Sequence, residues 1–439
     1  MMPANLLPLV LIVALLAGSS AAADAQQPAA PGPLRLGDMQ DAAVGRDPRS
    51  RQLDLLASQS ALRLRSIRSE WLPRLEAAAQ ARYQSDVASI PFELPGGGAP
   101  FTPHKDTYDA YVGVRQPLYD PTLGPRRSVE AARLAESQAR VRSTLFTLRQ
   151  QVADAFFTVL LLDAQRAELE AGVTDLEAQL RVARQRVEAG EALGSETAML
   201  EAELLRRRQS LAELAVDRGA TLEVLGDLSG RRLGERDSLA APDLAAEVAQ
   251  ARTAADARNR PEYAAFARTR ETLEQQSGEL GRRRWPRLSA VGRAGVGRPG
   301  LNPLGDDFKG YWLAGVQLEW SPWDWGRTGL DREAVSIQQE IVATEEAAFS
   351  EEIRRGAVRS LASIERLEEA LVADSAIIAL RERVLDETRL RFTEGVLTSA
   401  EFVDRETDLL AARLARATHR VELAQARARF LTIVGLEVP

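Results

Sequence analysis

An interior proline costs a helix about 3 kcal/mol, because it removes a hydrogen bond and clashes with the preceding turn. This chain keeps proline out of two long tracts: of its 21 prolines, none lies from Arg126 to Ala241 and none from Trp323 to Val438. Within these tracts apolar residues recur at three- and four-residue steps, as in Val152, Phe156, Val159 and Leu160, or Leu380, Val384 and Leu385. That spacing places them on one face of a helix. A single helix from Arg126 to Ala189 is about 95 Å long at 1.5 Å per residue. No single globular core has that length, so such helices must lie beside one another in a bundle, coiled coil or tube. Aromatics make up only 5% of the chain, while alanine, leucine, arginine and glutamate dominate, a mixture typical of long helices.

The two tracts belong to a larger internal repeat. Arg46-Asp47-Pro48 opens a helical stretch that runs to Trp71-Leu72-Pro73-Arg74-Leu75, and Asn259-Arg260-Pro261 opens another that runs to Trp285-Pro286-Arg287-Leu288. Both proline pairs are offset by 213 residues; Tyr119-Asp120 then matches Trp323-Asp324 at 204, and the segment ending at Gly190 matches the one ending at Gly395 at 205. Leu222 to Gly226 matches Leu431 to Gly435 at 209. Five landmarks in one order indicate a tandem duplication. The expected division is a leader at 1–25, a first repeat at 26–245 and a second at 246–439. The first repeat carries strands at about 74–83 and 107–117 and a helical hairpin at about 125–226. The second carries strands at about 287–297 and 311–320 and a hairpin at about 327–435.

The strands are read from a period of two. Leu75, Ala77, Ala79, Ala81 and Tyr83 alternate with Glu76, Ala78, Gln80 and Arg82, and Tyr108, Ala110, Val112 and Val114 alternate with Asp109, Tyr111, Gly113 and Arg115. Leu288 to Val296 and Trp312 to Trp320 alternate in the same way. Runs of about 9–11 residues with one apolar face have the length and pattern of tilted strands that cross a membrane. All six tryptophans and five of the six tyrosines lie in or beside them. Trp71, Tyr83, Tyr108, Tyr119, Trp285, Trp312, Trp320, Trp323 and Trp325 are the candidate interface aromatics, since such rings prefer the border between lipid and water. The plainer alternative is the core of a small soluble sheet. An open sheet edge is not tolerated in lipid, and four strands cannot close a barrel. Two chains give eight strands and a filled interior, and three give twelve and a water-filled lumen. A homotrimer is the expectation.

Composition narrows the function further. A net charge of -7 leaves no basic field for nucleic acid. With no cysteine and only two histidines, His104 and His419, disulfides, thiol catalysis and nearly all zinc or haem sites are excluded. No nucleophile–base–orienter set is present, so neither an enzyme nor a cofactor is expected. The first 23 residues carry no charge, and Leu6 to Gly18 is an apolar run followed by Ala21, Ala22 and Ala23. This reads as a secretory signal peptide, although no basic residue precedes the apolar core. No later apolar run is expected to cross a bilayer as a helix.

At this point the residues resemble the TolC family of outer-membrane efflux channels over nearly the whole chain, from about Leu34 to Leu436. The resemblance is carried by Asp47-Pro48, Arg260-Pro261 and the two Leu/Trp-Pro-Arg-Leu segments. Gln116-Pro117-Leu118-Tyr119-Asp120 and Ser321-Pro322-Trp323-Asp324-Trp325-Gly326-Arg327 complete it. It implies a mainly α chain with a membrane β-barrel, twelve strands in a trimer, standing in the bacterial outer membrane above a periplasmic α-helical barrel. It also implies a passive conduit of a tripartite efflux or type I secretion system. The partners would be a periplasmic adaptor (membrane fusion) protein and, through it, a proton-driven or ABC-type inner-membrane pump. The periplasmic entrance is implied at the hairpin tips, where Glu196, Glu401 and Asp404 match the family's acidic gate, the alternative being ordinary solvated helix charges, and where Gly190, Ser195, Gly395 and Ser399 would meet the adaptor. Leu397 stands where the family tends to place a basic or aromatic gate partner. The rival from another class is a soluble periplasmic coiled-coil adaptor.

Two signals are set aside. Gly295-Val296-Gly297-Arg298-Pro299-Gly300 spells G-x-G-x-x-G, but Pro299 and Pro303 predict a turn where a dinucleotide site needs a helix. The pairs Glu345-Glu346, Glu351-Glu352 and Glu368-Glu369 lie far from any histidine and read as surface helix charges.

Overall fold

The structure, a computed structural model, describes residues 32–87, 104–254, 257–302, 305 and 307–438. The expected leader and most of the loop after the first strand lie outside the described residues. The elements in order are α1 (Leu36–Arg46), α2 (Ser50–Ser69), β1 (Arg74–Tyr83), β2 (Asp106–Tyr119), α3 (Leu123–Glu188) and α4 (Gly194–Ser229). They continue with α5 (Ala245–Ala254), α6 (Pro261–Arg282), β3 (Arg287–Arg298), β4 (Lys309–Glu319), α7 (Arg327–Thr393) and α8 (Ser399–Ile433). The period-two runs and the four strands coincide to within about two residues. Helices α1 and α5 were not anticipated.

The repeated motifs set the ends of the elements. At the passage from strand to long helix, Asp120 accepts hydrogen bonds from the Thr122 amide (2.9 Å) and hydroxyl (2.7 Å). Asp324 does the same for the amides of Gly326 (3.1 Å) and Thr328 (3.0 Å), and the Thr328 hydroxyl holds its carboxyl below the usual carboxylate range. These contacts satisfy donors that a helix start leaves open. Helices α3 and α7, with 66 and 67 residues, each run about 100 Å. Arg260 ties the start of α6 to the end of α8, donating to the carbonyls of Thr432 (3.3 Å) and Ile433 (3.2 Å) with its guanidinium over the Phe146 and Phe349 rings.

Two cores hold the helical body. The larger one joins α1, α3, α4, α5, α7 and α8 around Met39, Phe156, Phe157, Leu225, Leu244 and Phe430. The smaller one lies toward the hairpin tips, where Leu176, Leu200, Phe392 and Phe402 are fully buried and the two phenylalanine rings stack at 5.1 Å. Burying a phenylalanine contributes about 1.5–3 kcal/mol. Contrary to the expectation for the helices, one 18-residue window of α3 is apolar enough to cross a membrane, with a mean hydropathy of 1.3. Half of it is buried within the chain, and Val152, Phe156 and Phe157 pack in the larger core, so packing accounts for its apolarity.

The four strands form one antiparallel sheet in the order β1-β2-β3-β4. In a single chain the sheet is open, with β1 and β4 at its edges. After Gly295 and Gly297 the chain passes through Gly300 (φ +68°) into β4, so no helix opens at the glycine motif. The paired glutamates meet arginines: Glu346 bonds Arg270, Glu351 bonds Arg354 and Glu368 bonds Arg427.

Candidate functional site

The register of the sheet sorts its side chains, because directly opposed residues share a face. Leu75–Val114–Gly292–Ala314, Ala77–Val112–Ala294–Trp312 and Ala79–Ala110–Val296–Gly310 form three rows across all four strands without a polar side chain. The rows between them face the other way: Arg74–Arg115–Val291–Gly315, Glu76–Gly113–Arg293–Leu313, Ala78–Tyr111–Gly295–Tyr311 and Gln80–Asp109–Gly297–Lys309. This polar face carries six cations, with Arg82 and Arg287 joining Arg74, Arg115, Arg293 and Lys309. Its carboxylates are Glu76, Asp109 and Glu319. The apolar band ends at the loop side, where Arg298 pairs with Asp106 at 2.5 Å.

Large apolar side chains of the first face stand in the open. Leu75 is 73% exposed, Val112 58% and Val316 67%. Every one of the nine candidate aromatics is exposed, from 40% at Trp71 to 87% at Trp325. They fall into two belts. Trp71, Tyr119, Trp285, Trp320, Trp323 and Trp325 lie at the helix end of the sheet, and Tyr83, Tyr108 and Trp312 lie near its loop end. From Tyr108 to Tyr119 is about 36 Å along the strand, or about 28 Å once tilted by ~40°, close to the thickness of a bilayer core. At the helix end of the sheet Trp320 Nε1 donates to the Arg284 carbonyl (3.1 Å), and the Gln116 side-chain amide donates to the Trp71 backbone carbonyl (2.5 Å).

At the far end of the long helices, two turns close the hairpins. Gly190 and Gly395 take φ of +75° and +76°, a conformation that costs any residue with a Cβ. The following amides bond back five residues, Glu191 to the Arg186 carbonyl (2.8 Å) and Val396 to the Arg391 carbonyl (2.9 Å), which closes the last helical turn. The entries to the return helices differ. Thr398 caps α8: its hydroxyl accepts from the Glu401 amide (3.4 Å), and the Glu401 carboxylate accepts from the Thr398 amide (3.2 Å). Leu193 holds the same place before α4 and offers no side-chain cap. Glu196, which corresponds to Glu401 at the offset of 205, accepts instead from the Ser399 hydroxyl at 3.4 Å. Ser399 is 2% exposed, so its side chain belongs to the seam between the hairpins and not to an outer docking face. Gly190, Ser195, Gly395 and Asp404 are exposed, and Leu397 is half-buried.

Behind the tips lies a buried ionic cluster that the sequence reading did not find. Arg207 of α4 is 2% exposed. It donates to Glu203 (2.9 Å), to the Gly172 carbonyl (3.1 Å) and, through both terminal nitrogens, to Glu406 of α8. Burial pushes the Glu406 carboxyl up against the pull of Arg207. At Glu203 burial acts in the same direction, but the hydrogen bonds from Arg206 and Arg207 prevail and hold the carboxyl below its usual range. In a chain with 27% charged residues, an arginine at a helical position carries no mark of burial.

The structure thus joins an exposed sheet with one apolar face and two groups of aromatics to a body of very long paired helices. Residues 49–231 match the family described as outer membrane efflux protein. Solved structures share the fold over most of the chain. CusC matches at 15% identity with a TM-score of 0.67, covering 91% of this chain and 92% of its own. The outer membrane protein VceC of Vibrio cholerae matches at 13% with a TM-score of 0.64, covering 91% and 96%. The MtrE outer membrane channel of Neisseria gonorrhoeae matches at 19% with a TM-score of 0.63, covering 92% and 89%. No curated protein matches by sequence. The family match covers residues 49–231, and the chain shares the fold of these solved outer-membrane proteins over about nine-tenths of its length.

Proposed function

We propose that three copies of this chain form a passive conduit across the bacterial outer membrane, with a twelve-stranded barrel in lipid and a helical barrel beneath it in the periplasm. The observation that carries this reading is the unbroken apolar face across four strands in register, exposed in the single chain and bordered by two aromatic belts. Lipid is the solvent such a face requires. The open edges β1 and β4 would pair between neighbouring copies, since unpaired backbone is not tolerated in a bilayer. The element order α-α-β-β-α-α occurs twice in the chain, in keeping with a duplication divided near residue 245.

The conduit would serve a tripartite efflux or type I secretion system. A periplasmic adaptor would meet the exposed tips around Gly190, Ser195 and Gly395, and an inner-membrane pump would drive transport through the adaptor. Glu196, Glu401 and Asp404 would ring the entrance with nine carboxylates, favouring cations. A soluble adaptor is disfavoured, because it would leave three apolar rows and nine aromatics facing water.

The absence of native cysteine allows a clean test. In detergent-extracted protein returned to vesicles, a water-soluble maleimide is expected to label Gln80→Cys and to spare Ala79→Cys, its neighbour on the opposite face. Equal labelling of both would overturn the membrane assignment. For the entrance, Glu401→Gln with Asp404→Asn is expected to lower cation selectivity in bilayer recordings. Glutamine preserves the capping geometry, so unchanged selectivity would dismiss the acidic ring without any question of lost structure.

A further inference from the structure

The polar face of the sheet opposes the rest of the chain in charge. The chain carries a net -7, yet on this face six cations stand against three carboxylates. Asp109 already accepts the Tyr311 hydroxyl at 2.5 Å, and Arg115 donates to a neutral partner, Gln317, at 3.1 Å. Among the described residues, no ion pair joins a cation of this face to one of its carboxylates.

Arg293 is the most built-in of these cations. It stands midway along β3, with its guanidinium carbon 5.3 Å from the centre of the Tyr111 ring and 5.6 Å from that of Tyr311. Both rings come from the adjacent row, where they flank Gly295. A Cβ at Gly295 would come within 2.5 Å of the Ala110 carbonyl oxygen and 2.7 Å of the Tyr111 Cβ, so only glycine fits between the two tyrosines in this row. Gly113, beside Arg293 in the same row, is covered by the Glu76 side chain, whose Cγ and Oε1 lie 3.1 Å from where a Cβ would stand. Among the described residues the guanidinium makes no hydrogen bond or ion pair, and its Nε is buried without a partner. Aromatic faces stabilise the flat cation through its π surface and leave its N–H edge unused. That edge matches the two oxygens of a carboxylate, sulfonate or phosphate.

We infer that Arg293, held by Tyr111 and Tyr311, is an oxyanion-binding station on the outer stretch of the conduit, and that it favours exported solutes carrying such a group on a flat apolar body. Three copies would place three stations around one lumen, opposite in sign to the acidic tips. The inference rests on the conduit reading, in which this face lines water.

The test is a planar-bilayer recording of the assembled full chain under a potassium chloride gradient. Arg293→Gln is expected to lower the anion-to-cation permeability ratio by about threefold, and Arg293→Lys to preserve most of it. Naphthalene trisulfonate added from the loop side is expected to block the wild-type current, and to need about tenfold more reagent for the Arg293→Gln pore. Wild-type pores whose ion preference Arg293→Gln leaves unmoved would overturn the station alone. Should that variant fail to insert, the wild-type block decides: a current indifferent to millimolar reagent overturns the proposal. Wild-type protein that forms no pore would overturn the conduit reading itself, and the station with it.

Discussion

The sheet and the helical body treat apolar residues in opposite ways. In the body, Phe156, Phe157, Phe392 and Phe402 are at most 1% exposed, buried against neighbouring helices of the same chain. In the sheet, Trp312 at 74% and Leu318 at 63% face outward, although the strands are well paired and their register is regular. A soluble protein that can seal one face of its helices has no reason to leave three rows of its sheet uncovered. The difference teaches that the apolar face of the sheet needs a cover that the single chain does not supply. The body completes its own core, whereas in the proposed conduit the sheet would be completed by lipid on one face and water on the other.

That contrast can be broken by substitution. The largest effect is expected where a charge is buried in the body: Arg207→Met leaves Glu406 uncompensated and should cost about 3–5 kcal/mol, seen as a lower thermal transition of the purified protein. Adding Glu406→Leu should recover much of the loss. If the single variant behaves like wild type, the cluster is not buried as described. In the sheet, Val112→Arg places a charge in the middle of the apolar face and should cost about 2–4 kcal/mol, whereas Gln80→Arg on the polar face should be tolerated. The yield of membrane-inserted protein measures both, and equal yields would erase the distinction between faces. The two hairpin tips differ more finely. Thr398→Ala removes the α8 cap and should lower stability by about 1 kcal/mol, while Leu193→Thr should raise it by up to about that amount by giving Glu196 the same cap. Opposite signs in thermal melts would sharpen the asymmetry, and identical shifts would remove it.

Much of this architecture is legible in the residues because the governing rules are local. Proline exclusion marks α3, α4, α7 and α8, and period two marks each strand, since a half-buried strand must alternate whatever solvent covers its apolar face. The aromatic belts are legible for the same reason, being a matter of position along a strand. Helix α1 was missed because it is short and holds Gly37 and Gly45; its place is fixed by Leu36, Met39 and Ala43 in the larger core, a tertiary effect that overrides propensity. The Arg207 cluster was missed because its members come from three distant segments and look like any charged helix positions. Thr398-Ser399-Ala400-Glu401 spells a capping box, but a glutamate in this position carries the same charge whether or not it caps. The cap gives Glu401 a structural duty beside its proposed place at the entrance.

The central claim is that this sheet is completed by copies of itself in lipid. Its most direct test is the protein mass of the detergent-extracted particle, measured by light scattering with the detergent contribution subtracted. The account predicts a particle that requires detergent and contains three copies of the 48.0 kDa chain, less any leader removed on export. A water-soluble monomer would contradict it, because the apolar face and both open edges would then have no partner.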